Sequence, residues 1–313
     1  MHLHSHLSPL NSALVSWLLR MMALLSVFLV VQRPLLSAEA GAQEDARPVE
    51  DAKKYKLDAR RSNSLPAIYL AGDSTVRVGT PRQRGWGDEL AGFFDAGKIK
   101  VVNHAIGGRS SRTFQTEGRW EASLAMMRKG DFLLIQFGHN DAGPINEPLP
   151  VTKATRARGT LKGNGEETQE VDNVLTGKHE VVHTFGWYIR KYIRDAKARG
   201  VTPVVCSPIP HKSWKDGKIS RASGNYGKWA REAATQEGAL FIDLNEIIAH
   251  EYEKLGPEQV NPLFADSGTH TTVEGAKLNA RCVVAGLKGL PNKPFDKFLS
   301  DEGRQVPPFT SAK

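Results

Sequence analysis

Residues 67–75 read AIYLAGDST: six almost continuously apolar positions stop at a glycine, and the chain then turns polar at once. A run this short, rich in large side chains and closed by turn residues, suits a strand buried on both faces rather than an amphipathic helix. The pattern recurs at KVVNHAI (100–106), DFLLIQFG (131–138), TPVVCSP (202–208) and LFIDL (240–244). Between these runs the apolar period becomes that of a helix. The clearest case is VVHTFGWYIRKYIRDAKARG (181–200), where Phe185, Tyr188, Ile189, Tyr192, Ile193 and Ala196 recur at three- and four-residue steps and Gly200 closes the segment. NYGKWAREAATQEG (225–238) and EGAKLNARCVVAGLKGL (274–290) are further helical segments. Strand, helix, strand repeated about five times predicts a doubly wound α/β/α sandwich on a parallel sheet, in one domain over 65–292. Residues 142–180 lack any period, and a loop this long inside a domain is usually functional or mobile.

The ends of the chain differ from this domain. Residues 12–32, SALVSWLLRMMALLSVFLVVQ, are almost continuously apolar, and SAEA at 37–40 offers a small-residue cleavage pattern, so residues 1–40 read as an export signal. The competing reading is an uncleaved membrane anchor, against which Arg20 would be costly near a bilayer centre. After cleavage no membrane span is expected. Residues 41–64 form a charged, aperiodic lead-in, and 293–313 are set apart as a C-terminal tail. The formal net charge is +8; losing residues 1–40, with Arg20, Arg33 and Glu39, lowers it by only one. A basic exported protein suits anionic polymers or surfaces, and no nucleic-acid motif is visible. Cys206 and Cys282 have no metal-binding spacing. Two buried thiols are expected, with a single disulfide as the alternative in an oxidising compartment.

In a sheet of this kind, sites form beyond the carboxyl ends of the strands. Four such ends are polar. Gly72-Asp73-Ser74-Thr75 places Ser74 on a tight strand-to-helix turn, although taken alone it reads as a capping turn. Gly107-Gly108 in AIGGRSSRTF lets backbone approach a ligand, or is an ordinary glycine turn. FGHND supplies the Asn140 amide, with His139 and Asp141 as braces, or is an Asx-turn. DSGTHTTVEG (266–275) supplies His270 just before the closing helix, which it would otherwise cap. Together the four hold what acyl transfer requires: a nucleophile, a base, and donors aimed at a developing oxyanion.

In this order, GDST, the Gly108 turn of VVNHAIGGRSSRTF, GHND and THT-x-x-E-G-A resemble the four blocks of the SGNH (GDSL-type) hydrolases. The segments EVVHTFGWYIRKYI, SPIPHKSWKDGKI and THTTVEGAKLNA resemble the rhamnogalacturonan acetylesterase branch of carbohydrate esterases, so the likeness covers about residues 66–290. It implies a flavodoxin-like SGNH hydrolase fold with Ser74 as nucleophile and His270 as general base. The Ser74 amide, the Gly108 amide and the Asn140 side chain would form the oxyanion hole, and no metal or organic cofactor would be needed. One position departs from the family pattern. The triad aspartate is expected three residues before the histidine, where this chain has Ser267, with Asp266 one residue earlier. Either Gly268 absorbs the extra step in a bulged loop and Asp266 reaches the imidazole, or Ser267 or a backbone carbonyl orients it.

The resemblance implies a serine esterase acting on an acetylated acidic polysaccharide, of pectic rhamnogalacturonan type; with the export signal of residues 1–40 it would be exported, and a monomer is expected. The alternatives are a lipase or thioesterase on the same fold, which would need an apolar acyl channel, and a non-catalytic glycan-binding relative. Trp86, Trp187, Tyr188 and Trp214 are candidate sugar-stacking aromatics, with Trp214 favoured and core packing as the commoner use of the rest. Arg109 would brace its loop or meet a substrate carboxylate.

Overall fold

The computed structural model describes residues 65–148, 150–152, 155–221 and 225–310; the segments read as an export signal (1–40) and a lead-in (41–64) lie outside them. Five strands, β1 (Ala67–Gly72), β2 (Lys100–Asn103), β3 (Phe132–Gln136), β4 (Thr202–Cys206) and β5 (Leu240–Ile242), form one parallel sheet in the order β2-β1-β3-β4-β5. The longer helices are α1 (Ser111–Thr116), α2 (Arg119–Met126), α3 (Phe185–Ala198), α4 (Tyr226–Gln236), α5 (Leu244–Leu255) and α6 (Val273–Lys288).

The two-sided burial of β1 explains its composition. Successive side chains of a strand point to opposite faces. Ile68 and Leu70 join Ile248, Tyr252, Val283 and Leu287 of α5 and α6 on one side. Tyr69 and Ala71 join side chains of α1 to α4 on the other, among them Phe114, Trp120 and Tyr192. The predicted doubly wound sandwich is therefore the observed architecture. Its strand order reverses beside β1, so the loops leaving β1 and β3 open around the crevice where this class of fold holds ligands.

Three local features depart from the sequence reading. Residues 179–183, taken there partly into the helix of 181–200, pair antiparallel with Thr168–Asp172, and α3 begins only after Thr184 caps it. A second hairpin joins Trp214–Lys215 to Lys218–Ile219 through Asp216 and Gly217, both at positive φ. The segment set apart as a tail is part of the core: Phe295, Phe298, Leu299 and Val306 are buried with α5 and α6. Burying each such side chain contributes about 1.5–3 kcal/mol, so four of them rival the ~5–15 kcal/mol by which whole domains are stable. Cys206 and Cys282 are buried free thiols, and burial pushes both up to about 12. Among the described residues no helix is long and apolar enough to cross a membrane.

Candidate active site

The turn after β1 is set by close packing. A Cβ at Gly72 would lie 2.5 Å from Val76 Cγ2 and 2.7 Å from the Gln136 carbonyl oxygen, so only glycine fits between β1 and β3. Asp73 then closes the turn. Its Oδ1 accepts from the Thr75 amide (2.9 Å) and hydroxyl (2.7 Å), and its carbonyl accepts from the amides of Val76 and Arg77. Asp73 thus takes the capping work that the tripeptide suggested. The Ser74 hydroxyl is left for another partner, and His270 Nε2 lies 2.8 Å from it.

The loop before α6 brings that imidazole into place. Thr272, not His270, caps α6, accepting from the Gly275 amide. Asp266 Oδ1 accepts from the amides of Gly268 (2.9 Å), Thr269 (2.8 Å) and His270 (3.0 Å), while its Oδ2 lies 2.6 Å from His270 Nδ1. Gly268 adopts φ 152°, and a Cβ there would meet Lys212, so glycine lets the loop fold back over one extra residue. Partial burial by itself would raise the Asp266 pKa. The amide of His270, with those of Gly268 and Thr269 and the ring itself, outweighs it and holds the carboxyl well below the usual range. An ionised carboxylate opposite Nδ1 places the proton there, so Nε2 presents its lone pair to Ser74. Ser267, the alternative orienter, is exposed and makes no hydrogen bond among the described residues; the ring nitrogen it would serve is occupied by Asp266.

Gly108 (φ 81°), Asn140, Asp266 and His270 line one cavity of about 540 Å³ with Ser74. Asn140 Nδ2 donates to the Arg109 carbonyl at 2.9 Å, which uses one of its two hydrogens and fixes the direction of the other. The GHND loop is braced on both sides. Buried Asp141 accepts from the Ser111 amide and hydroxyl at the start of α1, tying the Asn140 loop to the Gly108 turn; burial pushes its carboxyl up to about 7 against those bonds. His139 Nε2 donates to the Ile209 carbonyl (3.0 Å), and its Nδ1 faces Asp73 Oδ2 at 3.1 Å. With two acceptors opposite its two nitrogens, only the protonated ring can donate to both.

Burial alone would lower the His139 pKa, but the Asp73 charge and hydrogen bond outweigh it, and the net shift is upward from 6.5. A pKa raised in the folded state gives stability that is complete below the unfolded value and lost as pH rises through the folded one. His139→Gln is therefore expected to cost about 1–3 kcal/mol near pH 6 and clearly less near pH 9, read from urea unfolding. An equal penalty at both pH values would remove the charge from this account.

None of the four aromatic candidates lines the cavity. Trp86 is 1% exposed and donates to Gln136 Oε1, Tyr188 is core, Trp187 stacks on His183, and Trp214 packs against the apolar layer over α5. A tryptophan in a polar loop suggested contact with sugar, but here its ring closes the edge of the core. Arg109 braces its loop, paired with Glu117 at 3.0 Å and bonded to the Gly107 carbonyl. Among the lining residues that went unread in the sequence, which include Val78, Thr80 and Gln83, the charged one is Arg158, from the aperiodic insertion. Its flanks ATRARGT carry no period or motif that marks it.

The chain is similar to several known proteins. A rhamnogalacturonan acetylesterase of Emericella nidulans is 35% identical over 213 residues, covering 68% of this chain and 81% of that protein. A probable rhamnogalacturonan acetylesterase of Bacillus subtilis is 33% identical over 233 residues, covering 72% and 94%. The crystal structure of the YxiM protein of Bacillus subtilis superposes with a TM-score of 0.57 at 28% identity, covering 72% of this chain and 56% of that longer one. The profile of the GDSL-like lipase/acylhydrolase family matches residues 70–278, from within β1 to within α6 and so across every loop that builds the cavity. The chain belongs to that family.

Proposed function

We propose that this protein is an exported serine esterase that removes O-acetyl groups from pectic, rhamnogalacturonan-type polysaccharide through an acetyl-enzyme. The observation that carries the reading is the continuous line from Asp266 through His270 to Ser74, at 2.6 and 2.8 Å. In this reading His270 Nε2 takes the Ser74 proton as Oγ attacks the acetyl carbonyl. Negative charge on the tetrahedral oxygen is met by the amides of Ser74 and Gly108 and by the free Asn140 hydrogen. The imidazolium, stabilised by Asp266, then protonates the departing sugar oxygen. Water, activated by the same ring, releases acetate and restores Ser74. The names of the two relatives over 30% identical support the substrate class, the net charge of +8 suits a polyanion, and residues 1–40 support export.

The test is acetate release from a panel of acetylated pectins, xylans and mannans. Pectic fragments are expected to be deacetylated about tenfold faster than the neutral polymers. Among p-nitrophenyl esters, acetate is expected to be cleaved at least ~10-fold faster than octanoate. Preference for octanoate would replace the carbohydrate reading with that of a lipase, and activity confined to xylan would move the substrate away from pectin.

A further inference from the structure

The arginines around the catalytic cavity differ in their partners. Arg109 is paired with Glu117, and buried Arg112 with Glu180. Arg158 has no carboxylate partner among the described residues. The one hydrogen bond of its guanidinium among the described residues is a long one, from Nη1 to the Gly108 carbonyl at 3.3 Å. Nε is shielded from water without a partner, and Nη2 makes no hydrogen bond to the protein among the described residues. Burial accordingly lowers its pKa. A partly buried cation lacking a counter-ion is costly in the free protein, and an arriving anion offsets that cost.

The side chain is also well placed and firmly carried. It lies in the wall of the Ser74 cavity and of an adjoining one of about 770 Å³, which Arg109, Arg156 and Lys178 line together with Glu117 and Glu180. The amides of Arg158 and Gly159 both donate to the Pro144 carbonyl, at 3.1 and 2.7 Å. Arg112 Nη1 in turn donates to the carbonyls of Ile145 (2.9 Å) and Gly159 (3.0 Å), pinning the insertion to α1. A guanidinium held this way is pre-organised for a planar, two-oxygen anion.

We infer that Arg158 recognises the carboxylate of a uronate residue beside the acetylated sugar, and so sets the specificity for acidic over neutral polysaccharide. This inference rests on the proposed ester hydrolysis at Ser74 and extends it to the sugar next to the ester. Neutralising that carboxylate on the substrate should have the same effect as removing the guanidinium.

The experiment compares kcat/KM for acetylated galacturonic acid oligomers with free carboxylates and for the same oligomers methyl-esterified. The wild-type protein is expected to favour the free acid by about 10–100-fold, the range of a charged hydrogen-bonded pair. Arg158→Gln should bring that ratio close to one, while Arg158→Lys, which keeps the charge, should retain part of it. A thermal melt of each variant checks folding, and the ratio within one protein preparation is insensitive to its active fraction. If Arg158→Gln lowers both forms equally, or the wild type treats both alike, uronate recognition by Arg158 is overturned while the esterase reading stands. Release of acetate from neither oligomer overturns the inference together with the proposed substrate.

Discussion

Ser74→Ala is expected to lower kcat on p-nitrophenyl acetate and on acetylated pectin by roughly 10⁴–10⁶-fold, with circular dichroism and melting temperature unchanged. The size of the loss follows from the covalent route. Without Oγ there is no acetyl-enzyme, and the donors left behind can assist only direct attack by water. The unchanged fold follows from the surroundings. Among the described residues the Ser74 hydroxyl bonds only to His270, and the turn is held instead by Asp73, Thr75 and Gly72. Behind Asp73 runs a buried chain: Trp86 to Gln136, Gln136 to Thr75, Thr75 to Asp73, and His139 from Asp73 to the Ile209 carbonyl. None of these bonds uses the atom removed. Retained activity would take Ser74 out of the chemistry and leave the family's reaction to another nucleophile.

The same contrast between what Ser74 needs and what holds its turn explains which parts of the molecule are legible in sequence. The central strands are, because they are buried on two faces and apolar at nearly every position; AIYLAG coincides with β1. The hairpin from Thr168 to His183 is not, since TQEVD is exposed at four of its five positions and carries no alternation to read. Val181 and Val182 continue apolar spacing into α3, but pairing with Glu170 and Gln169 holds them extended. The nucleophile and base are legible because their chemistry demands particular residue types next to strand ends. Arg158 is not: nothing local distinguishes it from the insertion's other basic residues, and only folding sets it in the wall of the cavity without a counter-ion. The C-terminal segment lacks period because it packs by isolated anchors, Phe295, Phe298, Leu299 and Val306, rather than by a helix face.

Asp266→Asn is expected to cost about 10⁴-fold in kcat, and Ser267→Ala less than about twofold, at equal stability. The asparagine keeps the shape of the loop, because its carbonyl oxygen can still accept from the amides of Gly268, Thr269 and His270 as Oδ1 does now. What changes is the group facing Nδ1. An amide NH₂ in place of Oδ2 donates to that nitrogen, so the ring proton moves to Nε2 and the lone pair no longer faces Ser74. The same substitution removes the negative charge that stabilises the imidazolium in the transition state. Asp266→Ala would be a poorer test, since it also frees three backbone amides and loosens the turn over Gly268. Kinetics of the two variants with p-nitrophenyl acetate decide the matter. A strong loss in Ser267→Ala with an active Asp266→Asn would mean that the loop rearranges in solution to bring the serine hydroxyl to the ring. The one-residue displacement of the acid from its expected place would then be a change of partner rather than a longer path to the same one.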